Sequence, residues 1–129
     1  MAENKIFVVD SSFVLSYLLP DENLPKVEEV FMQYQGGLIE FISIKILPFE
    51  VFSGLCSALR SKRISKRLLK DLGNRLLKLN IQLIGVDYPA VSDLVISNNL
   101  SFYDACYFYL ANKRKKPLLT FDKALQKLA

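Results

Sequence analysis

Four apolar residues in succession, Ile6, Phe7, Val8 and Val9, run straight into Asp10 and two serines. Nothing else in the chain constrains the fold as strongly. Continuous rather than alternating apolarity is the pattern of a strand covered on both faces, as in a parallel sheet dressed with helices. A strand of that kind ending on a carboxylate raises a chemical question: what does the acid meet at the sheet edge?

The rest of the chain alternates as a parallel sheet requires. The spacing predicts a short helix over 12–19, stopped by Pro20, and a second over 24–35 with Pro25 near its first turn and Gly36-Gly37 as its stop. A strand follows at 38–44, then a helix over 47–62 with Pro48 at its first position. Residues 65–79 read as a helix with Leu68, Leu69, Leu72, Leu76, Leu77 and Leu79 on an apolar face beneath a basic one. Next come a strand at 81–86, helices over 88–99 and 101–115, a last strand at 117–121 and a short final helix. Tight hairpin signals are missing between strands, which argues for an α/β fold with a mostly parallel central sheet of four strands flanked by helices. The 129 residues suit one domain, 1–129, that buries about two thirds of its unfolded surface. Ligands of such folds sit beyond the carboxyl ends of the strands. Site residues are therefore expected at strand ends and in the first turns of helices.

Composition removes several chemistries. The chain has no histidine, which excludes His-based acid–base catalysis and Ser-His or Cys-His nucleophiles. Its two cysteines, Cys56 and Cys106, lie in apolar helical contexts and read as buried thiols, and two cysteines without histidine make a poor zinc site. A metal here would be a hard cation held by oxygen. The opening segment MAENK has no basic-then-apolar leader pattern, and no apolar run approaches a membrane span, so the expectation is a cytoplasmic protein with no membrane partner.

Charge is unevenly spread. Residues 1–59 carry three lysines and eight acids, whereas 60–129 carry fourteen basic residues and five acids. Arg60, Lys62, Arg63, Lys66, Arg67, Lys70, Arg75 and Lys78 crowd one stretch, and Lys113, Arg114, Lys115 and Lys116 form another. This asymmetry suits a polyanion, although a solvated helix face or a favourable helix C-terminus accounts for either cluster alone.

Four acids meet the positional expectation. Asp10 ends the first strand, Asp122 ends the last, and Glu50 and Asp104 fall in first turns of helices. Each has an ordinary explanation. Asp10 and Asp122 suit N-caps, Ser101 to Asp104 resembles a capping box, and Glu50 suits a helix start through the dipole. Together at one edge, however, four carboxylates repel each other unless a cation joins them. An all-oxygen site with room for water is what Mg²⁺ or Mn²⁺ prefers.

The stretches VVDSS, PFEVFSGL, SFYDACYFYLA and LLTFDKAL, in that order and spacing, resemble the PIN-domain ribonucleases. The resemblance covers nearly the whole chain and is strongest to small VapC-type toxins of toxin–antitoxin pairs. It implies a PIN fold and a metal-dependent endoribonuclease whose acidic site is Asp10, Glu50, Asp104 and Asp122. It further implies that Ser11 and Thr120 support the carboxylates or the metal-bound water. A homodimer, and a cognate antitoxin that blocks the site, are implied as well. Many relatives carry a further strand after the last one here, so a fifth strand is left open.

The mechanism expected from these residues is attack of a metal-bound water on an RNA phosphodiester, with Asp104 or Glu50 relaying the proton. The basic stretches 60–78 and 113–116 would hold phosphates on either side of the cut. An exposed stripe near Leu15, Leu18 and Leu19 would serve a dimer or antitoxin contact, and aromatics such as Tyr103 would stack on an unpaired base or simply fill the core. Competing readings are a housekeeping RNA-processing nuclease, a non-catalytic RNA- or protein-binding module, and a signalling receiver domain. The receiver has only Asp87 as its phospho-acceptor and lacks the acidic pair it needs after the first strand.

Overall fold

The computed structural model describes residues 4–128; the first three residues of the MAENK segment and Ala129, at the bounds of the expected domain, lie outside the described residues. The elements run β1 (Lys5–Val9), α1 (Ser11–Leu18), a 3₁₀ turn (Pro20–Glu22), α2 (Pro25–Gln35), β2 (Ile39–Ile44), α3 (Leu47–Arg60), α4 (Lys66–Leu79), β3 (Gln82–Ile84), α5 (Tyr88–Asn98), α6 (Phe102–Arg114), β4 (Leu118–Leu119) and α7 (Lys123–Leu128). The described residues form a single α/β domain with a parallel four-stranded sheet flanked by seven α-helices.

Local chemistry places the helix ends. Asp10, Ser65, Asp87 and Ser101 each accept a backbone N–H from their own helix's first turn, satisfying donors that have no intrahelical partner. At the other ends Asn80, Asn99 and Lys115 turn the chain into the left-handed region with φ of 51°, 53° and 54°. Asparagine visits that region readily, whereas Lys115 does so at some cost.

The sheet order is β3-β2-β1-β4, with every neighbouring pair parallel. Val8 is paired with Ile42 on one side and Leu118 on the other, which makes β1 a central strand and leaves Val8 and Val9 without exposed surface. The continuous apolar run of β1 thus has the cause inferred from sequence. Strand order reverses at β1, because β2 and β3 extend to one side and β4 lies on the other. A reversal of this kind opens a crevice at the carboxyl edge, and Asp10 stands at it.

Two glycines set helix spacing in the layer beside the sheet. A Cβ on Gly54 of α3 would lie 2.5 Å from a Leu15 methyl of α1, and one on Gly73 of α4 would lie 2.7 Å from the Phe52 ring of α3. Both helices pay for a weak helix former because a larger residue would push the neighbour away. The core beneath includes an aromatic column in which Phe31 stacks on Tyr17 with centroids 4.0 Å apart and on Phe13 at 5.6 Å.

Several sequence expectations are corrected. The last strand is two residues long rather than five, because Thr120 leaves the ladder to bond with Asp10. No fifth strand follows among the described residues, where α7 occupies the chain after Asp122. Leu77 is 63% exposed, since it falls outside the arc of α4 that Leu72, Leu76 and Leu79 bury. The expected exposed stripe on α1 is not exposed: Leu18 and Leu19 are both 1% accessible and Leu15 packs against Gly54.

Candidate active site

The carboxyl edge of the sheet collects all four predicted acids. Asp10 follows β1 directly, Glu50 sits in the first turn of α3 after β2, and Asp122 follows β4. Asp104 arrives differently, since α6 follows a helix rather than a strand. Its first turn reaches the edge because α6 lies across β1 and β2.

Asp10 is buried, at 3% exposure, and wrapped by donors. The Ser12 hydroxyl donates to Oδ1 at 2.7 Å and the Phe13 N–H to the same oxygen at 3.0 Å. The Thr120 hydroxyl donates to Oδ2. Burial pushes the Asp10 carboxyl up; the Thr120, Ser12 and Phe13 donors pull it back, and the nearby charge of Asp104 adds to the upward push. The strand end itself is pinned by Ser43, a fully buried residue of β2 whose hydroxyl donates to the Val9 carbonyl at 2.6 Å.

The serine roles differ from those expected. Ser12, which is not among the expected site residues, supports Asp10, and its oxygen also accepts the Phe121 N–H at 2.9 Å. Ser11, the residue implied for support of the carboxylates, lies beside Glu50 and Tyr107 and pulls both downward. Ser11 therefore keeps a carboxylate-side position, beside a different acid from the one it follows. Thr120 does double duty: its oxygen also accepts the Asp122 N–H at 3.0 Å, tying the last acid to the first.

Glu50 is half-buried, and its Oε1 accepts the phenol of Tyr107 at 2.6 Å. Burial pushes the Glu50 carboxyl up, the Tyr107 phenol pulls it down, and the charges of Asp104 and Asp10 push it up further. The Tyr107 phenol is raised in turn by its own burial and by Glu50. Tyr107 is a site residue that sequence reading missed among the other aromatics of its helix. A signal was present: it lies three residues after Asp104, on the same helix face.

Asp104 is partly exposed. Burial is the largest cause of its raised carboxyl, Asp122 adds to it, and Ser101 pulls the other way. The Ser101 hydroxyl also accepts the Asp104 N–H at 3.2 Å, the first half of the capping box expected there. Asp122 caps α7 through its Oδ1, which accepts the Leu125 N–H at 2.9 Å.

Among the described residues, none of these four acids is in an ion pair. Among the described residues the ion pairs are those of Arg63 with Asp21 and Glu22, at 2.7 and 2.6 Å, away from the sheet edge. Donor chemistry at the edge, carboxylate and hydroxyl oxygen alone, fits a hard divalent ion. Its geometry is looser than a finished cage, because among the described residues no three acidic or thiol side chains already close on one point. Fit therefore rests on the donor set and on the mutual repulsion of the acids.

Several basic residues of the two stretches are engaged or placed elsewhere. Arg63 is engaged in its ion pairs, and Arg75 lies over the Tyr17 ring at 4.9 Å. Lys113 and Arg114 occupy the last turn of α6, whereas Asp104 occupies its first, a separation of about 15 Å along the helix. Lys45, at the end of β2, is nearer the edge.

No described helix is long and apolar enough to cross a membrane. The protein-family model for the PIN domain matches residues 7–129. Among solved structures, the crystal structure of PAE2754 from Pyrobaculum aerophilum superposes with a TM-score of 0.78 at 17% identity, covering 97% of this chain and 80% of that one. At that identity the likeness concerns fold alone. Comparison with curated proteins finds no match. PIN domains are in general nucleases, and with its strand order, its acids at one edge and a family match over nearly its whole length, this chain belongs to the PIN domain family.

Proposed function

We propose that the protein is a divalent-cation-dependent endoribonuclease, the toxin of a VapC-type toxin–antitoxin pair, acting as a homodimer that a cognate antitoxin holds inactive. One observation carries the catalytic part. Burial pushes the carboxyls of Asp10, Glu50 and Asp104 upward; the charge of Asp104 adds to Asp10 and Glu50, that of Asp10 to Glu50, and that of Asp122 to Asp104. A chain keeps such repulsion at one sheet edge when a cationic ligand relieves it. The toxin, dimer and antitoxin parts are supported by the motif resemblance and by the single-domain size of the chain.

Asp10, Asp104 and Asp122, with Glu50 beside them, are the residues that would hold Mg²⁺ or Mn²⁺, an ion that acidifies bound water and offsets charge on a phosphate being cut. The chain's own groups do the rest. Thr120 and Ser12 fix both oxygens of Asp10. Tyr107 fixes Glu50. Glu50 and Asp104, partly exposed and with carboxyls pushed upward chiefly by burial, are placed to take a proton from the attacking group. Contacts to phosphates position an RNA without reading its bases.

The test is cleavage of single-stranded RNA with Mn²⁺, repeated in excess EDTA and with Asp10→Asn. Cleavage is expected to vanish in both, while the variant keeps a cooperative unfolding transition. Full activity in either condition overturns the proposal. Expression with and without the neighbouring reading frame decides between toxin and housekeeping nuclease: rescue of growth by that frame is the toxin outcome.

A further inference from the structure

Beside the acids lies a cleft of about 290 Å³ that the mechanism above does not use. It opens at the carboxyl ends of β2 and β3, and its walls carry Phe49, Tyr88, Phe102 and Tyr103, with Lys45 as its one charged side chain. These rings are unusually bare: Phe49 is 72% exposed, Tyr88 69% and Tyr103 51%. Phe102 stands between two of them, 6.3 Å from Tyr88 and 6.4 Å from Tyr103 by ring centroids. Exposed aromatics gathered in a concavity mark a binding surface rather than a core.

The cleft is continuous with the acid site. Phe49 precedes Glu50 in α3, and Tyr103 precedes Asp104 in α6. The same two rings, together with Ile46, also wall the depression that holds Glu50 and Ser11. An occupant of the cleft therefore sits one residue from two of the carboxylates. Its lining is mostly apolar, with Tyr88, Tyr103, Lys45 and Cys106 as the hydrogen-bonding side chains among the residues that wall it, and its exposed rings suit a π-face. Lys45 adds a cation at the rim for a backbone phosphate.

We propose that this cleft is a stacking pocket for an unpaired nucleobase adjoining the phosphate that is cut. The inference rests on the nuclease reading of the acids and adds a base-binding subsite, built by Phe49, Tyr88, Phe102 and Tyr103, beside them. A paired base cannot enter, because its faces are covered by neighbouring base pairs. Discrimination among the four bases through this pocket is weak, since stacking tolerates any of them.

Anisotropy titration of a labelled oligouridylate in EDTA separates binding from cleavage, and cutting of the same probe with Mn²⁺ is followed in parallel. Tyr88→Ala and Phe49→Ala are each expected to weaken binding about 5- to 100-fold, and a fully paired duplex should not compete. Tyr88→Trp should retain binding. As the only tryptophan in the chain, it should also lose fluorescence when the oligouridylate binds. Normal oligouridylate binding and cutting by both alanine variants overturns the pocket while leaving the nuclease intact. An unaltered protein that neither binds nor cuts RNA overturns both. Sedimentation adds the other exclusion: alanine variants that change self-association but not RNA binding make the cleft a protein contact, and the pocket falls.

Discussion

Asp10 and Asp104 share one sheet edge but are held in opposite ways. Asp10 is almost fully buried and receives three hydrogen bonds, two from side chains on different elements. Asp104 is partly exposed, and its helix cap at Ser101 is the nearest constraint. One carboxylate is fixed before any ligand arrives; the other stays adjustable. The contrast explains why the acids gather without closing into a cage among the described residues. Rigid support stands on the switch-point strand, and under the proposed function the remaining acids would be drawn in by the charge of a cation and substrate.

If this division holds, disturbing the support of Asp10 has the largest effect. Thr120→Val and Ser12→Ala are each expected to lower Mn²⁺ affinity by about 10- to 100-fold, as loss of a group that orients a ligand does. Ser11→Ala, which leaves Asp10 untouched, should change it far less. Calorimetric titration of the three variants breaks the comparison if Ser11→Ala proves as damaging as Ser12→Ala.

A smaller effect, of opposite sign, is expected at the adjustable acid. In metal-free buffer Asp104→Asn should raise stability by about 0.5–2 kcal/mol, because it removes repulsion kept for function. The pH dependence follows from the same shifts. Asp10, Glu50 and Asp104 are raised in the folded state, so between the ordinary carboxylate pKa and the raised ones the folded chain binds more protons than the unfolded chain. Their contribution to stability is therefore lost as pH rises through that window and regained on acidification. Thermal unfolding of wild type and Asp104→Asn across it should show a shallower loss in the variant. A destabilised Asp104→Asn would mean that its carboxylate is structural.

Glu50 lies between the two extremes, with a single phenol as its support. Tyr107→Phe is expected to cost about 1 kcal/mol of stability, the usual net worth of one hydrogen bond. It should also raise the Glu50 carboxyl further, moving the acid limb of the cleavage pH profile upward. A profile that does not move would show that Glu50 takes no part in proton transfer.

Much of this arrangement could be read from the residues alone. The continuous apolarity of β1, the prolines at helix starts and the positions of four acids at strand or helix ends lead to the fold and to the edge where the acids meet. What escaped is what depends on direction. Ser11 and Ser12 are adjacent and identical, and only the first turn of α1 decides which hydroxyl swings back to Asp10. Tyr107 was hidden by Phe102, Tyr103, Phe108 and Tyr109 around it, since composition does not say which ring points inward. Leu77 and the short β4 failed for a related reason: a helix face is narrower than a list of its leucines, and Thr120 exchanges a place in the ladder for a bond with Asp10.

The clasp between Thr120 and Asp10 joins residues 110 apart in sequence. During synthesis Asp10 emerges early, while its partner hydroxyl is made long afterwards. Until then the emerging chain carries Asp10, Glu50 and Asp104 but lacks both Thr120 and Asp122. The edge is therefore complete only when β4 docks beside β1 and brings Thr120 and Asp122 to Asp10.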